Sequence, residues 1–106
     1  MNKEEIRELE EKIIVVLNNI FDPEIPVSIY ALGLIYEINI DETGNVNILM
    51  TLTSPNCPVA ESLPAEVNQE ISYLTGVKNI NVEITFEPPW DQDMVTEEGK
   101  LELGLL

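Results

Sequence analysis

Cys57 is the only cysteine among 106 residues, and the chain has no histidine. It sits in Thr53-Ser54-Pro55-Asn56-Cys57-Pro58, where an alternating apolar run ends and a helical pattern begins. A helix N-terminus favours negative charge, so a thiol placed there suits a soft metal or nucleophilic chemistry. No Lys or Arg stands within ten residues on either side, and the net charge of −15 opposes ionisation of the thiol. Contact with a metal or cluster is therefore the better-supported chemistry, because a soft ion expels the thiol proton as it binds. The competing reading is a buried, inert cysteine, a common fate of isolated cysteines.

Two further groups carry chemical potential. In Asp22-Pro23-Glu24-Ile25-Pro26-Val27, two carboxylates are held by two prolines. They suit a hard ligand or a proton, or else form a helix stop in which Asp22 bonds nearby amides. Pro88-Pro89-Trp90 carries the single tryptophan. It reads either as an anchor for a protein partner or as a lid over the core.

The same residues exclude other chemistries. Without histidine there is no Ser-His-Asp or Cys-His pair. The chain has no Gly-rich phosphate loop and no CxxC. One thiol cannot complete a zinc or iron–sulfur site alone, nor form an intrachain disulfide. Twenty acidic against five basic residues repel a phosphate backbone, so no nucleic-acid partner is expected. No apolar run approaches the roughly 20 residues that span a bilayer. A polar N-terminus and a lone thiol are expected of a cytoplasmic protein.

These residues need elements to position them. Asn2 and Glu5 predict a capping box. Ile6, Leu9, Ile13, Val16, Leu17 and Ile20 predict a helix of about five turns that stops before Pro23. Ser28 to Leu32 predicts a single helical turn, and Gly33 an unusual backbone angle before a strand. Leu34, Tyr36, Ile38 and Ile40 alternate with polar residues, as do Val46, Ile48, Met50 and Leu52, around the turn Asp41–Asn45. Together they predict a hairpin. A second helix starts near Ser62, or earlier with a kink at Pro64, and ends at Gly76. Ile80, Val82, Ile84 and Phe86 give a third strand. Thr96-Glu97-Glu98 opens a tail helix carrying Leu101 and Leu105. The expected fold is a single α+β domain over 1–106, in two layers. Its order is α-β-β-α-β, with the helices packed on one face of a small mixed three-stranded sheet and a C-terminal tail helix. That order also suits one type of KH domain, but neither the GXXG loop nor the basic face is present.

The segments Asp22–Val27, Leu32–Tyr36, Thr53–Pro58 and Phe86–Trp90, in this order and spacing, resemble the SufT/PaaD family of small iron–sulfur assembly domains. The likeness runs from about Ile13 to the C-terminus. It implies an accessory factor or carrier in iron–sulfur cluster maturation, not an enzyme. It also implies a compact α/β fold of the kind just derived. The family's shared cysteine matches Cys57, and its Asp-Pro-Glu loop matches Asp22, Pro23 and Glu24. By that likeness these residues, with Thr53, Pro55 and Pro58, line the functional site, and Cys57 is the metal contact. The likeness implies iron or an iron–sulfur cluster, held in transit or stably, as the one cofactor, and iron–sulfur assembly proteins and client apo-proteins as partners. The remaining ligands come from a client, a small thiol or a second copy, as in a homodimer with two Cys57 residues facing each other.

The chain departs from the family pattern at Ala31, where many members carry an acidic residue. The PaaD branch, tied to a phenylacetyl-CoA oxygenase system, has further cysteines in a C-terminal extension. Their absence up to Leu106 favours the SufT-like branch over a PaaD-like component of aromatic degradation. The rival function is a non-metal adaptor that docks clients through the acidic surface and Trp90.

Overall fold

The computed structural model describes residues 1–22, 25–53 and 62–104. The capping box is present. The Asn2 side chain accepts from the Glu5 N–H at 2.8 Å, and the Glu5 carboxylate accepts from the Asn2 N–H at 3.2 Å. Helix α1 follows over Lys3–Leu17 and buries Leu9, Ile13 and Leu17. It ends earlier than the spacing predicts. Asn19 donates its side-chain amide to the Val15 carbonyl at 2.8 Å, and its backbone N–H to Val16. These bonds serve carbonyls that the missing next turn leaves free, so the helix closes before Pro23 can act. Ile20 is still buried, but from the chain beyond the helix.

Phe21 bridges Ser28, and the Ile29 N–H donates to Ile20 at 2.9 Å. A single turn follows, with Leu32 N–H donating to Ser28 and the Ser28 hydroxyl accepting from the Ala31 N–H. Strand β1 (Ile35–Ile40) and strand β2 (Asn45–Met50) form the expected antiparallel hairpin. A bulge departs from simple alternation. Ile35 lies opposite Met50, while Glu37, not Tyr36, lies opposite Leu49. The extra residue leaves Tyr36 outside the regular pairing.

Helix α2 is described over Ser62–Ser72 and contains Pro64. The alternative of an earlier start falls on residues 54–61, outside the described residues. Strand β3 (Asn79–Ile84) then pairs parallel to β2, giving a mixed sheet in the order β1-β2-β3. Ile38, Ile40, Val46, Ile48, Met50, Ile80, Val82 and Ile84 face the core formed with α1 and α2. The opposite face carries Asn39, Asn47 and Asn81 in one cross-strand row. Its amides bond across strands, Asn81 to Asn47 at 2.8 Å and Asn79 to Asn45 at 2.9 Å. Helix α3 (Glu97–Leu103) is capped by Thr96, as expected. Its buried residue is Gly99, whereas Leu101 is exposed. No helix among the described residues is long and apolar enough to cross a membrane.

Candidate functional site

Backbone bonds place the two ends of the sheet. At one end the N-terminal ammonium donates to the Glu42 carbonyl, and Lys78 N–H to Gly44 at 2.8 Å. At the other end Thr51 N–H donates to the Leu34 carbonyl at 2.8 Å, and Thr85 N–H to Met50 at 2.9 Å. The second end receives the chain leaving α1, the chain leaving β2 toward α2, and the chain leaving β3. Three of the residues singled out from sequence, Asp22, Thr53 and Trp90, lie on these three connections. Ligand sites at the carboxyl ends of strands in α/β folds arise from the same convergence of loops.

Asp22 is 3 % exposed. Its carboxylate accepts from the Ile25 N–H at 3.2 Å, and its own N–H donates to Val27. Asp22 therefore shapes the loop it opens, the structural half of the expectation from sequence. Thr53 is half-buried at the mouth of the connection to α2. Pro23, Glu24, Pro55, Cys57 and Pro58 lie outside the described residues.

Trp90 is half-buried against the core, and its indole N–H donates to the Leu32 carbonyl at 2.7 Å. This bond ties the ring to the chain that leads into β1. Pattern reading missed the fasteners around it. Tyr36 donates its hydroxyl to the Pro88 carbonyl at 2.7 Å, and Thr96 N–H donates to Ala31 at 2.8 Å. Gly33 has φ +79°, and a Cβ there would collide with the Met94 carbonyl. Only glycine tolerates both the angle and the approach. The segment 86–99 is thus a strap tied across residues 31–36, whose Leu34 carbonyl holds Thr51. The signal for it lay in Tyr36 and Trp90, aromatics whose polar tips need partners when buried. The backbone carbonyls that meet those tips were not readable from spacing.

Thr51, fully buried beside the exit of β2, also escaped the sequence reading, because it alternates as an outward-facing residue. Ala31 lies 9 % exposed, with its carbonyl against Gly99. Among the described residues, the carboxylate with a displaced pKa lies at the opposite end. Asp41 is held well below the usual range by hydrogen bonds from Asn45, side chain first and then backbone, and from Thr43. Among the described residues, no group of three or more His, Cys, Asp or Glu side chains is arranged to hold a metal ion.

Comparison with known proteins gives a consistent picture. The profile of a family described as "Iron-sulfur cluster assembly protein" matches residues 10–84. A "Fe-S protein maturation auxiliary factor" of Porphyromonas gingivalis is 45% identical over 102 residues, covering 96% of this chain and 97% of its own. The "Fe-S protein maturation auxiliary factor SufT" of Staphylococcus aureus is 34% identical over 86 residues, covering 81% of this chain and 98% of its own. A crystal structure of a DUF59 domain of unknown function from Bacillus anthracis superposes with a TM-score of 0.86 at 33% identity, covering 94% and 95% of the two chains.

Proposed function

The chain belongs to the iron–sulfur cluster assembly protein family, and on that premise we propose that it is an accessory factor in the maturation of iron–sulfur proteins. The observation that carries this reading is the gathering of three connections at one end of the sheet, in a chain similar over almost its full length to a named maturation factor. We read residues 1–106 as one domain of the SufT-like branch, working in the cytoplasm on assembly proteins and client apo-proteins.

Iron or a cluster is the cargo, and Cys57 is the contact we assign to it. Cys57 is four residues from Thr53 and five from Ser62, so chain length alone keeps it within about 14 Å of Thr53. Asp22, with Pro23 and Glu24 one and two residues beyond it, opens the neighbouring connection. A thiolate takes the soft iron, and carboxylate oxygens suit a hard face of the metal. One thiol leaves most positions around iron open, so a client, a small thiol or a second copy completes them. Nothing in this role requires turnover of a substrate by the chain.

Anaerobic reconstitution with iron and sulfide tests the assignment. Wild type should develop thiolate-to-iron absorbance, and Cys57→Ser should lose it while keeping its far-ultraviolet circular dichroism. Cells carrying Cys57→Ser in place of wild type should lose client-enzyme activity. Equal client activity in the two strains would remove Cys57 from the mechanism and favour the adaptor.

A further inference from the structure

A groove of about 330 Å³ runs between the C-terminal half of α1 with the residues just beyond it and the middle and last turns of α2. Val15 and the half-buried Val16 supply its apolar surface over the buried Ile20, and Glu66 and Glu70 stand along its α2 side. Val15 is 61 % exposed on a helix whose other face fills the core. Burying it would recover apolar surface that this chain alone leaves in water.

Glu66 and Glu70 are four residues apart on one helix, so both project along the same side about 6 Å apart. Like charges at this spacing destabilise a helix, and no Lys or Arg lines the groove to offset them. Among the described residues, neither carboxylate takes part in a hydrogen bond or ion pair. An apolar surface with a repelling carboxylate pair along one side is complementary to one kind of partner. That partner is an apolar helical segment carrying Lys or Arg at positions i and i+4.

We infer that this groove docks such a segment of a partner protein. Its position matters for the maturation role. It lies between the last turns of α1, which lead to Asp22, and the middle and last turns of α2, the helix that follows the Cys57 connection. A segment seated there brings its own protein to the end of the sheet that handles the cargo. The inference therefore deepens the maturation reading by naming the chemistry of its partner, and rests on that reading.

The test uses the full chain and no iron, so its outcome is independent of Cys57 reconstitution. The probe is a synthetic amphipathic peptide of about four helical turns, built from Leu, Ala and Lys with lysines paired at i and i+4. A second peptide has the same composition in scrambled order. At low ionic strength, ¹⁵N–¹H spectra should shift at Val15, Val16, Asn19, Ile20, Glu66 and Glu70. The ordered peptide should bind about tenfold tighter than the scrambled one. Val15→Ser should weaken binding about tenfold, and the double change Glu66→Gln with Glu70→Gln about threefold. Leu101→Ser, at an exposed apolar residue on α3, should leave it unchanged.

Equal binding of the two peptides, or shifts scattered over the acidic surface, would overturn the inference. So would wild-type affinity in a Val15→Ser protein with an unchanged melting curve. Dimerisation of the chain that Val15→Ser abolishes would assign the groove to a second copy instead.

Discussion

The indole N–H of Trp90 and the carbonyl of Leu32 are 58 residues apart in sequence and 2.7 Å apart in space. Each is a polar group at the edge of the core, and each would lose a partner if the other were removed. Trp90→Phe keeps an aromatic ring but strands the carbonyl, which should cost about 1 kcal/mol. Trp90→Ala also removes the ring from the core and should cost about 2–3 kcal/mol. Urea unfolding followed by circular dichroism reads both, and a Trp90→Phe midpoint equal to wild type would show that the bond contributes nothing. This contact also marks how far residue-level reading reaches. Tryptophan announced that it needed a partner, but nothing near it in sequence named Leu32. Asp22 was more legible, because an Asp before Pro shapes local backbone and its acceptor role needs only the next few residues.

Among the elements, the hairpin shows local chemistry at its clearest. Asp41 closes its turn by accepting from the Asn45 side-chain amide at 2.8 Å, the Asn45 N–H at 3.0 Å, and the Thr43 N–H and hydroxyl. These donors favour the ionised carboxylate, so its folded pKa lies below its ordinary value of 3.8. A depressed carboxylate stabilises the fold fully above the unfolded pKa, and that contribution fades as pH falls through the folded one. Asp41→Asn turns one acceptor into a donor facing Asn45. The variant should melt below wild type at pH 7, and the gap should narrow as pH drops below about 4. A gap that stays constant from pH 7 to pH 2 would remove the charge from the explanation. The strands were legible because alternation is a local signal. The end of α1 was not, since the helix closes at Leu17 with Asn18 as its C-cap, ahead of Ile20 and Pro23. The bulge at Tyr36 was equally hidden, because alternation in β1 alone says nothing about how β2 counts against it.

For the whole molecule, the dominant quantity is charge. Twenty acidic residues against five basic ones make the folded chain repel itself. Raising sodium chloride from about 10 mM to about 150 mM shortens the screening length from about 30 Å to about 8 Å, inside the molecular dimensions. The melting temperature should rise by several degrees, equivalent to roughly 1 kcal/mol at this chain length. A flat response would mean that surface charge has no net effect on the fold. The same field draws cationic partners toward the chain and pushes anionic ones away. The convergence of loops at one end follows from topology, as a parallel β2–β3 pair requires α2 to cross back along the sheet. The strap from β3 to α3 then ties that end together through Trp90. One consequence is practical. As the sole indole, pinned to the loop that holds Thr51, Trp90 gives the molecule a built-in optical gauge. Its emission colour and quenching register movement of the 31–36 loop directly, with no dye attached.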